Sequence, residues 1–166
     1  MAAHRVLVKV LHIQGLRNVR ADALSRNPDH HHYQLRPQVF DHLQKSFHFQ
    51  PTIELFASGR NNQPPRFYSW RHCAKAVGTN AFVFKWREPS CLNPPWELAF
   101  QALRKVQTDG TTAQCLLPYW PRAKLWPLFL QLEVTPMQFL NGPLYIGPEE
   151  TPLLAPRWQS VAAVIR

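Results

Sequence analysis

Cysteine and glycine are scarce in this sequence, and each shortage excludes a class of structure. The 3 cysteines, Cys73, Cys91 and Cys115, are odd in number and widely spaced, so they predict neither a disulfide framework nor a zinc-binding pattern. Only 6 glycines stand against 16 prolines, which predicts short elements joined by stiff connections. The cysteine usage favours a reducing, intracellular compartment. The first 26 residues are rich in Arg and poor in acid, which overlaps with organellar transit composition, so both the nucleus and an organelle stay open.

Acidic residues and long apolar runs are also few. No apolar run approaches the length of a membrane span, so we expect no membrane partner. The 19 Lys and Arg residues outnumber the 10 acidic residues, which gives a formal net charge of +9. Because positive charge attracts phosphate and releases its counterions, this balance favours nucleic acid, DNA or RNA, as a partner over a merely solvated basic surface.

The hydrophobic pattern predicts an α/β protein in four parts. Residues 1–27 form an amino-terminal appendage with a strand at 4–13 and a short helix, too small to make a core alone. Residues 28–51 contain a linker and then a helix that packs by one face. A compact three-layer sheet follows at residues 52–147, and residues 148–166 are a proline-rich tail.

Within the main domain the pattern predicts two strands and the helix that joins them. We expect the strands at 52–57 and 113–117 to be neighbours in one mostly parallel sheet, with the helix from about 96 to 106 packed across them. The other predicted segments are a loop at 59–70, a strand or extended segment at 80–86, a short helix at 121–132 and a hairpin at 137–147 that bends at Asn141-Gly142.

The stretch Asn93-Pro94-Pro95-Trp96 is the most informative about chemistry. It follows the apolar pair Cys91-Leu92 and precedes the predicted helix, so in an α/β sheet it lies at the carboxyl end of a strand, where ligands bind. The prolines fix the backbone so that the carbonyl of Pro94 and the amide oxygen of Asn93 accept the two hydrogens of a planar amine. Trp96 offers a stacking face for a base flipped out of its duplex.

This tetrapeptide resembles the catalytic motif of the amino-methyltransferases that modify adenine, cytosine or glutamine amides. Upstream, "IELFASGRN" resembles the motif that holds S-adenosylmethionine, with Glu54 as its acid and Phe56 and Gly59 in its loop. From about residue 50 to 147 the order of motifs is similar to the phage-type DNA adenine methyltransferase domain, which also occurs in DIRS-type (tyrosine-recombinase) retrotransposons. The resemblance implies methyl transfer from S-adenosylmethionine to the exocyclic amine of adenine. It also implies a set of catalytic residues, namely Asn93, Pro94, Pro95 and Trp96.

A second resemblance lies in residues 1–27. The stretch "LHIQGLRNVRADALSR" resembles the end of a retroelement RNase H domain, and Asp22 matches the last catalytic carboxylate of that family. RNase H chemistry needs several carboxylates to hold two metal ions, and the preceding acids are absent from this sequence. Asp22 is therefore expected to be a remnant, with no metal site. The chain order implies a retroelement origin and a larger polyprotein or ribonucleoprotein as partner.

Two departures from the methyltransferase pattern keep a second function open. Arg60 stands where the cofactor loop usually has its second glycine. Between Arg60 and Ser90 the only acid is Glu88, so no carboxylate for the ribose hydroxyls is evident. The alternative is a non-catalytic basic protein, descended from a retrotransposon, that binds nucleic acid or a ribonucleoprotein.

Arg66, Tyr68 and Arg71 are the candidate nucleic-acid contacts. In this interpretation the arginines hold phosphates while Tyr68, with its neighbours Phe67 and Trp70, stacks on bases. A role of the same aromatic residues in the core is equally open.

Three other groups of residues favour ordinary structural roles. The adjacent His30, His31 and His32 are typical of a solvated linker more than of a metal site. His72-Cys73 indicates surface placement rather than a nucleophile pair. Trp120 and Trp126 are interpreted as packing around the end of a strand.

Overall fold

A computed structural model describes residues 33–132, 135–147 and 158–166. These residues belong to one unit of the chain, which spans His31–Arg166. The strand and helix predicted within residues 1–27, the RNase H remnant Asp22 and the histidines 30–32 lie outside the described residues.

Nine strands and three α-helices form within the described ranges. The strands are β1 Gln34–Leu35, β2 Ile53–Ala57, β3 Arg66–Ser69, β4 Gly78–Thr79, β5 Ser90–Leu92, β6 Ala113–Pro118, β7 Gln138–Leu140, β8 Tyr145–Ile146 and β9 Ser160–Ile165. The helices are α1 Pro37–Phe47, α2 Ala99–Asp109 and α3 Leu125–Gln131, with 3₁₀ turns at Ala81–Val83 and Trp96–Leu98. No helix in the described part of the chain is long and apolar enough to cross a membrane.

Seven strands form one sheet in the order β4-β3-β2-β5-β6-β9-β7. The first five positions are parallel, whereas β9 runs antiparallel to both of its neighbours. The predicted α/β class is therefore confirmed, in the form of a mostly parallel sheet. Because β5 lies beside β2 on the side away from β3, the direction of winding reverses between β2 and β5, which makes this point the topological switch of the sheet.

Apolar side chains cover both faces of the sheet. On one face, Val106 of α2 and Phe129 of α3 are fully buried against the strands. On the other face, Phe40 and Leu43 of α1 are buried in a second cluster. Successive residues of β9 alternate between the two clusters, as the pleat of a strand requires. Helices thus flank the sheet on both sides, which gives three layers.

The helix ends follow from local backbone chemistry. Pro37 occupies the first turn of α1, where its missing N–H costs nothing. The helix predicted in residues 28–51 is confirmed, and it ends at His48 in the left-handed conformation, with φ 49°. Helix α2 ends at Gly110, whose φ of 65° suits glycine and whose N–H donates to the carbonyl of Val106 at 2.9 Å.

The expectation that strands 52–57 and 113–117 are neighbours is wrong. Both strands lie in the same sheet and run parallel, but β5 is inserted between β2 and β6. A strand of three residues is too short for its periodicity to fix its position in a sheet. The expected packing of α2 across the strands is confirmed, since its apolar face belongs to the same buried cluster as β2 and β6.

Two local predictions for residues 59–86 are also wrong. Arg66–Ser69, expected to be a loop, forms β3, with Phe67 and Ser69 buried and the alternate residues more exposed. Residues 80–86, expected to be extended, begin with a 3₁₀ turn. Asn80 causes that turn, because it adopts a positive φ of 59° and its side chain accepts a hydrogen bond from the N–H of Phe82.

The hairpin and the tail predicted for the carboxyl-terminal part are not observed. Gly142 does turn the chain, with φ 92°, but β7 pairs with β9 while β8 pairs with β1. Residues 160–165, assigned to a proline-rich tail, form the fully buried strand β9 inside the sheet. The boundary at residue 147 is therefore wrong, because the sheet is completed by residues after it.

Candidate functional site

The two motifs that suggest methyl transfer emerge at the switch point of the sheet. Strand β2 continues into Ser58-Gly59-Arg60, and β5 continues into Asn93-Pro94-Pro95. Because β2 and β5 are adjacent and parallel, both loops leave the same edge of the sheet. We call this the carboxyl edge and define it by residues 58–62, 70–75, 93–98 and 119–124, which follow the parallel strands, and by residues 158–159, which precede β9.

Asn93 is half-buried and its side chain is held in place. The hydroxyl of Tyr145, on β8, donates a hydrogen bond to Oδ1 of Asn93 at 3.1 Å. Burial of the hydroxyl end raises the pKa of Tyr145 well above its usual range, so it remains a donor at neutral pH. An amide oxygen has two lone pairs, which leaves one for a second donor.

The two prolines connect Asn93 to a helical start. Pro94 is buried and Pro95 is exposed. Pro95 is extended, with φ −50° and ψ 141°, and its carbonyl accepts the N–H of Leu98 at 2.9 Å to begin the 3₁₀ turn at Trp96. The motif therefore fixes the amide and the indole at either end of a rigid bend.

Trp96 contacts two further tryptophans at the same edge. Its ring centroid lies 5.4 Å from that of Trp120 and 4.7 Å from that of Trp158, and the latter two are 5.7 Å apart. All three pairs are edge-to-face, the geometry that aromatic pairs prefer. We call Trp96, Trp120 and Trp158 the tryptophan cluster. The packing role expected for Trp120 is thus combined with a position beside the motif.

Glu54 lies beneath the cofactor-loop motif rather than at its surface. Its side chain is 4% exposed, and Oε2 accepts the backbone N–H of Gln63 at 2.8 Å. Burial raises the pKa of Glu54 to about 7, and the hydrogen bond from Gln63 opposes part of that rise. In this structure the carboxyl group fastens the loop that follows β2.

The other loop residues divide between packing and exposure. Phe56 packs edge-to-face on Phe82 and Trp86, with centroids 5.3 and 6.1 Å away. The loop itself is closed by Asn61, whose Oδ1 accepts the N–H of Ser58 at 2.7 Å. Gly59 is exposed. Of the three predicted cofactor residues, it alone lies at the surface of the carboxyl edge.

The end of β3 is where dinucleotide-binding folds place an acid for the ribose hydroxyls. Here the chain continues from Ser69 into Trp70, which is 62% exposed, and Arg71. Glu88 is not a substitute, because it pairs with Arg66 and is the side-chain acceptor for Thr52. In the described residues, the position after β3 thus holds an exposed aromatic ring and a cation in place of a carboxylate.

The structure separates the predicted nucleic-acid contacts, because Arg66 and Tyr68 lie on β3 whereas Arg71 lies beyond its end. Arg66 begins β3 at the opposite edge and forms a two-pronged ion pair with Glu88, which lowers the pKa of that carboxyl group. Tyr68 stacks on Phe84 with centroids 4.9 Å apart. Only Arg71 lies at the carboxyl edge. His72 is exposed and Cys73 half-buried, in agreement with their expected surface placement.

Positive charge gathers at the carboxyl edge. Within the loops that define it, the described residues include one acid, Glu97, and five cationic side chains, all exposed. These are Arg60, Arg71, Lys75, Arg122 and Lys124. An edge that carries this charge and exposed aromatic rings suits a polyanion with flat bases.

Sequence reasoning missed Tyr145 and Trp158 as neighbours of the motif. Both reach it through strand pairings, β8 with β1 and β9 with β6, which no local pattern indicates. No group of three metal-ligating side chains occurs within the described ranges. No protein-family model matches this chain, and no curated protein matches it.

Proposed function

We propose that this chain is a retroelement-derived DNA amino-methyltransferase-like protein that transfers a methyl group to the exocyclic amine of adenine. The observation that carries the proposal is the position of Asn93-Pro94-Pro95-Trp96 at the carboxyl end of β5, beside the loop of β2, at the switch point of the sheet. Ligands of doubly wound sheets bind at that point, so the motif stands where a substrate is expected.

The strand order gives independent support of a coarser kind. The first five positions of the sheet have a doubly wound order. Beyond them, β9 lies between β6 and β7 and runs antiparallel to both. A doubly wound sheet places its ligand site at the switch point, whichever chemistry the site performs. The strand order alone is therefore compatible with many functions, and the proposed one rests on the site residues.

The chain's own residues account for how the amine is held. Oδ1 of Asn93 and the carbonyl of Pro94 accept one hydrogen each from the amine. Two accepted hydrogen bonds orient the nitrogen and increase its electron density, which favours attack on an electrophile held in line. Tyr145 fixes the Asn93 amide for this role, and Trp96 supplies a face on which the flipped base stacks.

S-adenosylmethionine, when bound, supplies the electrophilic methyl group. Gly59 at the surface of the β2 loop and the exposed Trp70 at the end of β3 are the residues that fit it. Glu54 would contribute indirectly, by fastening the loop through Gln63. Without a ribose carboxylate, the affinity for the cofactor is expected to be modest.

A second candidate function is favoured by the same missing carboxylate. A non-catalytic nucleic-acid- or ribonucleoprotein-binding protein would need the basic carboxyl edge and the exposed indoles, but no cofactor. In that case the hydrogen bond between Tyr145 and Asn93 would serve only to hold the two-stranded β1–β8 pair against the end of β5.

Methyl transfer to an adenine-containing oligonucleotide, measured with labelled S-adenosylmethionine, distinguishes the two. Asn93→Ala should reduce the rate by roughly 10²–10³, by analogy with the loss of one oriented group that stabilises a transition state. Gln107→Ala is the control, since Gln107 is an exposed amide side chain near the end of α2, away from the motif. Thermal unfolding of both variants checks that the fold is kept.

Transfer that survives in Asn93→Ala would overturn the catalytic assignment. A wild-type protein that binds nucleic acid but neither binds the cofactor nor transfers a methyl group would favour the second function.

A further inference from the structure

The tryptophan cluster is assembled from three separate segments of the chain. Trp96 follows β5, Trp120 follows β6, and Trp158 precedes β9. Because β9 is antiparallel to β6, its beginning lies at the carboxyl edge, beside the ends of the parallel strands. The meeting of three indoles there is a product of the sheet topology.

The cluster differs from the tryptophans that form the core. Trp86 is 2% exposed, and its indole N–H donates to the carbonyl of Ala81 at 2.9 Å. Trp96, by contrast, is 47% exposed, and Trp120 and Trp158 are only half-buried. Mutual edge-to-face contacts hold these rings in place while leaving part of their surface accessible. Rings held in this way lose little conformational entropy when a ligand binds.

The spacing of the rings limits what the cluster can hold. Centroid separations of 4.7–5.7 Å are direct ring contacts, so no quaternary ammonium group fits between the rings as it does in an aromatic cage. A ligand must lie on the outer faces of the rings. A flat base is suited to that position, because every base has a π-face that stacks on an indole.

The positive charge around the cluster indicates that a ligand with stacked bases also carries phosphates. Arg122 and Lys124 are exposed in the same loop as Trp120. The carboxyl edge as a whole carries five cationic side chains and one acid among its described residues. Cations beside stacking rings are the arrangement by which proteins hold a single strand of nucleic acid.

We propose that the tryptophan cluster is a stacking platform for unpaired bases of a single-stranded nucleic acid, with Arg122 and Lys124 on its phosphates. Bases on Trp120 and Trp158 flank the base that stacks on Trp96 with its amine at Asn93. The position of that central base rests on the proposed function, whereas the binding of a single strand does not. Double-stranded nucleic acid is the poorer ligand, because its bases present their faces to one another. The substrate class is thus a single strand or an unpaired segment.

Fluorescence anisotropy of the full-length chain with labelled oligothymidylate of about 12 nucleotides tests the platform. Thymine has no exocyclic amine, so the measurement is independent of methyl transfer. Trp120→Leu should weaken binding about 5- to 150-fold, which corresponds to the stacking of one base. The wild-type protein should bind the single strand more tightly than a duplex of the same length.

Phe84→Leu is the control, because Phe84 is another partly exposed aromatic residue but lies on the side of the sheet near β4. It should leave the affinity unchanged within about twofold. If circular dichroism shows that Trp120→Leu does not fold, Trp96→Leu replaces it, since almost half of Trp96 is already exposed. Equal losses in the cluster variant and in Phe84→Leu would overturn the platform.

The outcomes separate this inference from the proposed function. Loss of single-strand binding in the cluster variant, with no methyl transfer by the wild type, supports the platform and counts against the enzyme. Methyl transfer to duplex DNA by a protein that does not bind oligothymidylate supports the enzyme and overturns the platform.

Discussion

Glu54 has a different role in the structure from the one its motif suggests. The sequence places an acid before a glycine-containing loop, which predicts contact with a cofactor. In the fold, the carboxyl group is buried and accepts the N–H of Gln63. Burial disfavours the charged form, so the pKa of Glu54 rises from 4.5 to about 7.

This shift predicts a pH-dependent stability. Because the folded pKa lies above the unfolded one, the native state binds the proton more tightly between pH 4.5 and about 7. The contribution of Glu54 to stability is therefore full below pH 4.5 and falls by on the order of 3 kcal/mol as pH rises to 7. Glu54→Gln keeps an acceptor for Gln63 and should remove that fall.

Denaturant unfolding of the wild type and Glu54→Gln at several pH values between 4.5 and 7.5 measures the effect. Glu88→Gln is the control, because the pKa of Glu88 is lowered by Arg66 rather than raised. The account of Glu54 is wrong if the wild type and Glu54→Gln show the same pH dependence in this window.

Tyr145 gives a second prediction at the scale of the residue. Tyr145→Phe removes the hydroxyl that donates to Asn93 and leaves the ring in place. Stability should fall by about 0.5–1.5 kcal/mol, the net value of one hydrogen bond. If the enzyme is active, kcat should fall with little change in KM, because the orientation of the amide matters in the transition state. Steady-state kinetics checks this, and a rise in KM alone would contradict it.

At the scale of the element, β9 is the long strand that the sequence does not predict. Its six residues are buried, and it pairs with β6 along its whole length and with β7 on its other side. Deleting residues 159–166 should therefore abolish cooperative unfolding, because it exposes the edges of both neighbours and opens two buried clusters. Deletion of the exposed Arg166 alone is the control and should change little. Circular dichroism during heating shows which occurs, and a stable truncated sheet would contradict the assignment.

The elements show why part of the fold is predictable and part is not. Strands β2 and β6 and helices α1 and α2 have apolar periodicity over five or more residues, and the sequence predicts them. Strands β3 and β5, with four and three residues, are too short for a periodic signal. Strand β9 follows a proline-rich stretch, which suggests a tail. The order of strands depends on long-range pairing, so no local pattern places β5 between β2 and β6.

The same limit applies to the site. The motif Asn93-Pro94-Pro95-Trp96 is itself local sequence, so it is predictable. Although β5 gives no periodic signal, the apolar pair Cys91-Leu92 before the motif and the helix after it indicate the end of a strand. The contacts of Tyr145 and Trp158 with the motif are not predictable. They depend on long-range pairings, of β8 with β1 and of β9 with β6. Proximity in sequence groups Arg66 with Arg71, but Arg66 begins β3 and Arg71 lies beyond its other end.

At the scale of the whole molecule, the net charge of +9 predicts salt-sensitive binding of nucleic acid. Each phosphate contact on a single strand contributes about −0.7 to the slope of log affinity against log salt concentration. Arg122→Gln should make the slope shallower by about that amount. Lys45→Gln, on α1 and away from the carboxyl edge, changes the net charge equally and should leave the slope as it is. Equal effects of the two variants would mean that overall charge, and not the carboxyl edge, attracts the ligand.

Calorimetric titration of S-adenosylmethionine into the full-length wild-type protein tests the central claim most directly. The account predicts saturable one-to-one binding that persists in Asn93→Ala, because Asn93 contacts the amine of the substrate and not the cofactor. Absence of saturable binding by the folded wild-type protein would contradict the methyltransferase function.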